Sequence, residues 1–160
     1  MMTTPFTLQP IGICKASAGD FALQLAPDYR PGLVGLDAFS HAIAVWWAPE
    51  TEPTKGLDAL TIRQPYTASP DDFGVFATRS EARPNPIGMS VFEIKTVDLS
   101  TGLVTTPYFD MLDGTPLLDL KPYFPASDRV ARVTVPDHFG HWPQSFEQSA
   151  LFEWEAEFRH

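Results

Sequence analysis

Two stretches hold most of the residues whose types and spacing could do chemistry. The first is Gly74–Ser90, GVFATRSEARPNPIGMS, with Arg79 and Arg83 four residues apart. Its centre, Arg83-Pro84-Asn85-Pro86-Ile87-Gly88, is a stiff bent loop, because each proline fixes φ and glycine permits φ > 0. Guanidinium groups on such a loop are cationic forks held ready for an anionic ligand, with Asn85 beside them as a hydrogen-bonding group. The same spacing would also suit a surface turn with two solvated arginines. The second stretch is Asp110–Tyr123, DMLDGTPLLDLKPY. Asp113-Gly114 followed by Thr115-Pro116 predicts a sharp turn. Asp110, Asp113 and Asp119 fall within ten residues, with Lys121 two further on. They could accept hydrogen bonds from hydroxyl or amino groups or balance a positive charge. Equally, they could be a structural turn with Asp119 paired to Lys121 or to an arginine.

Other chemistries find little support. The histidines stand at 41, 138, 141 and 160, and the H-x-x-H of His138 and His141 lacks a third ligand at suitable spacing, so no metal is expected. There is no G-x-S-x-G elbow, phosphate-binding Walker loop or G-x-G-x-x-G fingerprint. The single cysteine, Cys14, rules out an intrachain disulfide and fits a reducing cytoplasm. Its strand-like surroundings predict a buried, inert thiol. The start MMTTPFTLQP is neither basic nor apolar, and no apolar run reaches membrane-spanning length, so neither a secretory signal nor a transmembrane helix is expected. The net charge of −9 opposes nucleic-acid binding by the chain as a whole. Cations gather locally, at Arg63, Arg79, Arg83, Lys95 and Lys121, while Glu147, Glu153, Glu155 and Glu157 load the C-terminal part.

The elements that must position these residues are mostly strands. With 160 residues, 44% apolar and 19% charged, the chain suits one globular domain over 1–160. Sixteen dispersed prolines disfavour long helices. Period-two or β-rich runs predict strands at Phe21–Leu25, His41–Trp47, Phe73–Thr78, Met89–Val97 and Leu103–Tyr108. The alternation of Phe152, Trp154, Ala156 and Phe158 with Glu153, Glu155 and Glu157 predicts a further strand with one wet face. A short helix is expected within Pro31–Ser40, and Pro136–Gln148 reads as an irregular wrapping segment. The resulting expectation is an all-β fold: a small closed or nearly closed β-barrel with short helical segments and irregular loops.

Taken together, GVFATRS-x-x-RPNPIGMS and DMLDGTPLLDLKPY resemble the TsaA-like family, also called YaeB-like or TrmO. Gln9-Pro10-Ile11-Gly12 and Tyr29–His41, YRPGLVGLDAFSH, extend the resemblance over roughly residues 8–128, leaving 129–160 as C-terminal strands and a wrapping loop. The resemblance implies a β-barrel, a homodimer and S-adenosylmethionine as cofactor. It also implies cytoplasmic methyl transfer to N6 of the threonylcarbamoyl-modified adenosine beside the tRNA anticodon. Family positions that contact the cofactor match Arg79, Met89, Leu112, Asp113, Gly114 and Thr115. Arg83, Asn85 and Lys121 are expected on the substrate side. Asp113, and after it Asp119, are the expected proton acceptors, being the carboxylates nearest the presumed cofactor turn. Two departures stand out: Lys15–Asp20 replaces the family's P-R-Q element, and Ala48-Pro49-Glu50 replaces its His-Gln pair. With the acidity of the chain, they leave a small-molecule acceptor, or cofactor binding without catalysis, as alternatives.

Overall fold

The computed structural model describes residues 6–48, 52–53 and 60–159. Contacts divide the chain into two compact units, one drawn from 1–52 and 86–129, the other from 53–85 and 130–160.

The first unit is built on a seven-stranded antiparallel sheet. Its strands are β1 (Gly12–Ser17), β2 (Asp20–Leu25), β3 (His41–Trp47), β6 (Ile87–Glu93), β7 (Thr96–Asp98), β8 (Leu103–Thr106) and β9 (Pro116–Pro122). Their order across the sheet is β6-β3-β9-β1-β2-β8-β7. Alternation aims one side of each strand inward, so Cys14, Leu23, Leu25, Ala42, Ala44, Trp46, Phe92, Val104 and Leu117 form the core, closed by Leu33, Leu36, Phe109 and Met111. Gly88 lies opposite Trp46 across the β6–β3 ladder, and a Cβ there would overlap the indole ring. The absence of a side chain is what lets Trp46 lie flat on the neighbouring strand.

The two edge strands are consecutive in the chain. Seven strands laid flat would hold β6 and β7 about 29 Å apart, yet only Ile94 and Lys95 join them, a reach of about 11 Å. The sheet is therefore strongly curved. The join changes partners within one step: the Ile94 N–H donates to the Ser40 carbonyl at 2.8 Å, on the β3 side, and the Lys95 N–H donates to Thr105 on β8 at 2.9 Å. No ladder links β6 to β7, so the sheet is not closed as a barrel, which corrects that expectation.

Three local expectations change for identifiable reasons. The helix expected within Pro31–Ser40 is two 3-10 turns, Pro27–Leu33 and Leu36–Ala38, separated where Gly35 takes φ +85°. The strand expected at Phe73–Thr78 stops at Gly74 and continues as a 3-10 turn over Val75–Ala77. The C-terminal alternation is not a strand either. It forms a 3-10 turn over Trp154–Glu157, preceded in the chain by α1 (Pro125–Asp128) and α2 (Phe146–Ser149). With three residues per turn, Trp154 and Glu157 share the inward side while Ala156 is exposed.

The second unit contains the two-stranded β4 (Thr61–Ile62) and β5 (Phe73–Gly74) and an aromatic centre of Tyr66, Phe73, Phe139, Trp142 and Phe158. Glu157 stitches it, its Oε2 accepting from Trp142 Nε1 at 2.8 Å and meeting His141 Nε2 at 2.9 Å. The Trp142 bond first, then His141, lowers the Glu157 carboxyl below its usual range. Among the described residues no three His, Cys, Asp or Glu side chains gather to hold a metal ion, and no helix is long and apolar enough to cross a membrane.

Candidate functional site

The turn expected from Asp113-Gly114 forms. The Thr115 N–H donates to the Leu112 carbonyl at 3.1 Å, and Gly114 sits at the third position with φ +79°, where a type II turn needs positive φ. Three bonds fix it to β1. The Gly114 N–H donates to the Cys14 carbonyl at 2.9 Å, the Cys14 N–H donates to the Thr115 carbonyl at 2.8 Å, and the Ala16 N–H donates to Asp113 Oδ1 at 2.9 Å. Asp113 is therefore a strut between turn and strand as well as an exposed carboxylate. Thr115 is 1% exposed, and its buried Oγ1 has no hydrogen-bond partner. A buried hydroxyl left unpaired is uncommon. Leu112, 54% exposed, projects an apolar side chain from the same turn.

The neighbouring carboxylates differ in what they hold. Asp110 Oδ1 accepts from Ser90 Oγ at 2.7 Å, and Ser90 Oγ accepts from Trp46 Nε1 at 3.1 Å, so a core indole and a β6 hydroxyl steady Asp110. Burial chiefly, then the charges of Asp113 and Asp110, push the Cys14 thiol up to about 12. Asp119 meets Lys121 at 2.6 Å on β9, the pairing that spacing alone left open. That bond raises the Lys121 ammonium's pKa. Asp119 also borders an open cleft of about 470 Å³ with Tyr29, Leu33, Phe39, Leu120 and Pro122. Met89 stands opposite Val45, which in turn stands opposite Asp119, in one row on the sheet face turned away from the core. Met89 is half exposed.

Arg79, Arg83 and Asn85 belong to the second unit. Hydroxyls stiffen their loop: Thr78 Oγ1 donates to the Val75 carbonyl at 2.9 Å, the Ser80 N–H donates to Thr78 Oγ1 at 3.3 Å, and the Ala82 N–H donates to Ser80 Oγ at 3.1 Å. Arg83 Nη1 donates to the Ser80 carbonyl at 3.3 Å, a clamp within its own loop. Arg79 and Asn85 are exposed. The sheet thus gathers Leu112–Thr115 with Asp110 beside β1, and sets Met89 and Asp119 in a shared row. Sequence reasoning missed the Ser90–Trp46 support of Asp110 and the Ala16 N–H that occupies Asp113. Backbone donors and cross-strand partners leave no mark in spacing.

The fold is shared with solved TrmO structures. The chain matches a crystal structure of TrmO from Pseudomonas aeruginosa at a TM-score of 0.64 and 27% identity, covering 84% of this chain and 62% of that one. Residues 4–129 match the tRNA-methyltransferase O N-terminal domain, and the chain belongs to that family. A probable S-adenosyl-L-methionine-binding protein of Pyrococcus abyssi is 38% identical over 126 residues, covering 79% of this chain and 64% of that protein. The tRNA (adenine(37)-N6)-methyltransferase of Escherichia coli is 35% identical over 136 residues, covering 84% of this chain and 55% of the enzyme. The chain thus spans less than two thirds of the length of these relatives.

Proposed function

We propose that this chain is an S-adenosylmethionine-dependent methyltransferase that modifies N6 of an adenosine in tRNA, namely the threonylcarbamoyl-modified adenosine beside the anticodon. The observation that carries the reading is the Leu112–Thr115 turn, with its three bonds to β1 and the unpartnered buried hydroxyl of Thr115. Family membership, a relative named for binding this cofactor and a relative named as a tRNA (adenine(37)-N6)-methyltransferase support it.

The residues present fit the cofactor. Thr115 Oγ1 offers a buried donor or acceptor, the turn offers backbone groups fixed in place, and Leu112 and Met89 offer exposed apolar side chains for an aromatic ring. Arg79 is retained as a cofactor contact, and Arg83, Asn85 and Lys121 as substrate contacts, on the family pattern alone. When bound, S-adenosylmethionine supplies an activated methyl group. The chain's own task is alignment, because in-line displacement gains most from holding the reacting atoms about 3–3.5 Å apart. A turn tied to the central strand is a stiff frame for that. Asp113, through the oxygen not engaged by Ala16, takes the acceptor's proton, and Asp119, paired with Lys121, is the second candidate. Homodimerisation, in the cytoplasm, belongs to the same proposal.

The test is incubation of the full chain with methyl-labelled cofactor and total tRNA, followed by nucleoside analysis. Label in the N6-methylated, threonylcarbamoyl-modified adenosine is the expected result; cofactor binding without label in RNA would overturn the proposed acceptor. The net charge of −9 favours one second reading, a small-molecule acceptor, which that outcome would support.

A further inference from the structure

An acidic chain that acts on RNA must meet it at a local cationic place, and the first unit contains a cleft with that chemistry on β1, the strand to which the Leu112–Thr115 turn is bonded. The cleft is an open one of about 490 Å³ between the β1–β2 ladder and the hairpin that joins β7 to β8. Ile13, Leu25, Ala26 and Pro27 give it apolar walls, while Gln24, Arg30, Ser100 and Thr101 give it polar ones. Arg30 is fixed across the hairpin. Its Nη1 donates to the Ser100 carbonyl at 2.8 Å, and its stem lies where a side chain on Gly102 would stand. Its Nε–H is buried without a partner, so the guanidinium has unused hydrogen-bonding capacity in this conformer. A second cation reaches the rim, for Lys15 Nζ donates to Gln24 Oε1 at 3.2 Å, and Gln24 Nε2 donates to the Thr101 carbonyl at 2.7 Å. The nearby Asp98 carboxylate is exposed and accepts four hydrogen bonds from Ser100 and Thr101.

We infer that this cleft docks the RNA backbone: Arg30 holds a phosphodiester, Lys15 adds charge, and the apolar walls take the adjoining ribose or base. The inference rests on RNA being the acceptor. A phosphate in the cleft gives the guanidinium a charged acceptor towards which its terminal torsions can turn, and a planar fork binds phosphate with two parallel bonds. The volume suits one nucleotide.

The test follows the Arg30 Nε–H and the Ser100 and Thr101 amides by NMR in the full chain, titrated separately with an oligouridylate strand and with inorganic phosphate. Oligouridylate should shift these signals. Arg30→Ala should weaken oligouridylate binding severalfold and reduce the slope of log K against log salt by about 0.7, the loss of one phosphate contact. Arg30→Lys, which keeps the charge and loses the fork, should retain the slope with part of the affinity. Calorimetric affinity for S-adenosylmethionine should be the same in both variants. Unchanged affinity and slope in Arg30→Ala, shifts confined to other residues, or a response to phosphate alone would each overturn the proposal. Methyl transfer to tRNA separates the two readings. If the wild type methylates tRNA and Arg30→Ala binds RNA equally well, the docking proposal fails and the function stands. If oligouridylate binds through Arg30 and no tRNA is methylated, the docking stands and the proposed acceptor fails.

Discussion

At the residue scale, Asp113 has two separable duties. Its Oδ1 holds the Ala16 N–H, and its other oxygen is proposed to accept a proton. Asp113→Asn keeps an oxygen for the strut and loses the base, so cofactor affinity should survive while kcat falls by about 10²–10⁴. Asp113→Ala loses both, and should also lower the melting temperature and weaken cofactor binding. A kcat for Asp113→Asn equal to wild type, measured with the same tRNA, would move the assignment to Asp119. Cys14 gives an independent check on the same corner of the fold. Burial and two nearby carboxylates push the thiol up to about 12, so thiolate is scarce at any working pH. At pH 8 the native protein should leave an aromatic disulfide reagent unreacted and titrate one thiol after denaturation. Rapid native labelling would mean that the β1 end opens easily.

At the scale of elements, the hairpin between β7 and β8 offers a pH test. Asp98 accepts from the Ser100 hydroxyl, then from the Thr101 hydroxyl and backbone, which lowers its carboxyl from 3.8 to about 2. A depressed folded pKa contributes stability that is fully present above the unfolded value and is lost as pH falls through the folded one. The difference in urea midpoint between wild type and Asp98→Asn should therefore be constant above about pH 4 and shrink towards pH 2. A difference that stays flat over that range would contradict it. Such turns were legible in advance because their signals are local: Asp113-Gly114-Thr115 names its own conformation through the φ that only glycine takes easily. The partner change at Ile94 and Lys95 was not legible. Met89–Val97 reads as one uninterrupted strand, and only the positions of Ser40 and Thr105 divide it. The C-terminal alternation misled for the complementary reason. Phe152, Trp154 and Phe158 have the spacing of a strand but find rings rather than a neighbouring ladder, and Phe158 makes just an isolated bridge to Tyr66. The site followed the same division. Its residue types were readable, whereas Ser90, Trp46 and the Ala16 amide joined it through pairing across the sheet.

At the scale of the whole molecule, a net charge of −9 and an isoelectric point near 4.7 set two electrostatic effects against each other. Long-range repulsion from RNA weakens as salt is added, because screening shortens its reach to about 10 Å at 0.1 M. The few direct phosphate contacts weaken too, because counterions compete for the backbone. The cations the chain can offer RNA are few, and one of them, Lys121, is shared with Asp119. A protein that neutralises six to ten phosphates loses about 10³–10⁵ in affinity between 50 and 200 mM salt. With two or three contacts, partly offset by relieved repulsion, the loss here should be about tenfold or less. Methyl transfer to tRNA should accordingly show a KM that rises modestly over that range with kcat unchanged, since the cofactor turn depends on hydrogen bonds within the fold rather than on long-range charge. A thousandfold rise in KM would show that the RNA meets a basic surface far larger than this chain supplies alone, as a partner or a further segment would provide. A KM indifferent to salt would show that the acceptor is not a polyanion, and the small-molecule reading would replace RNA.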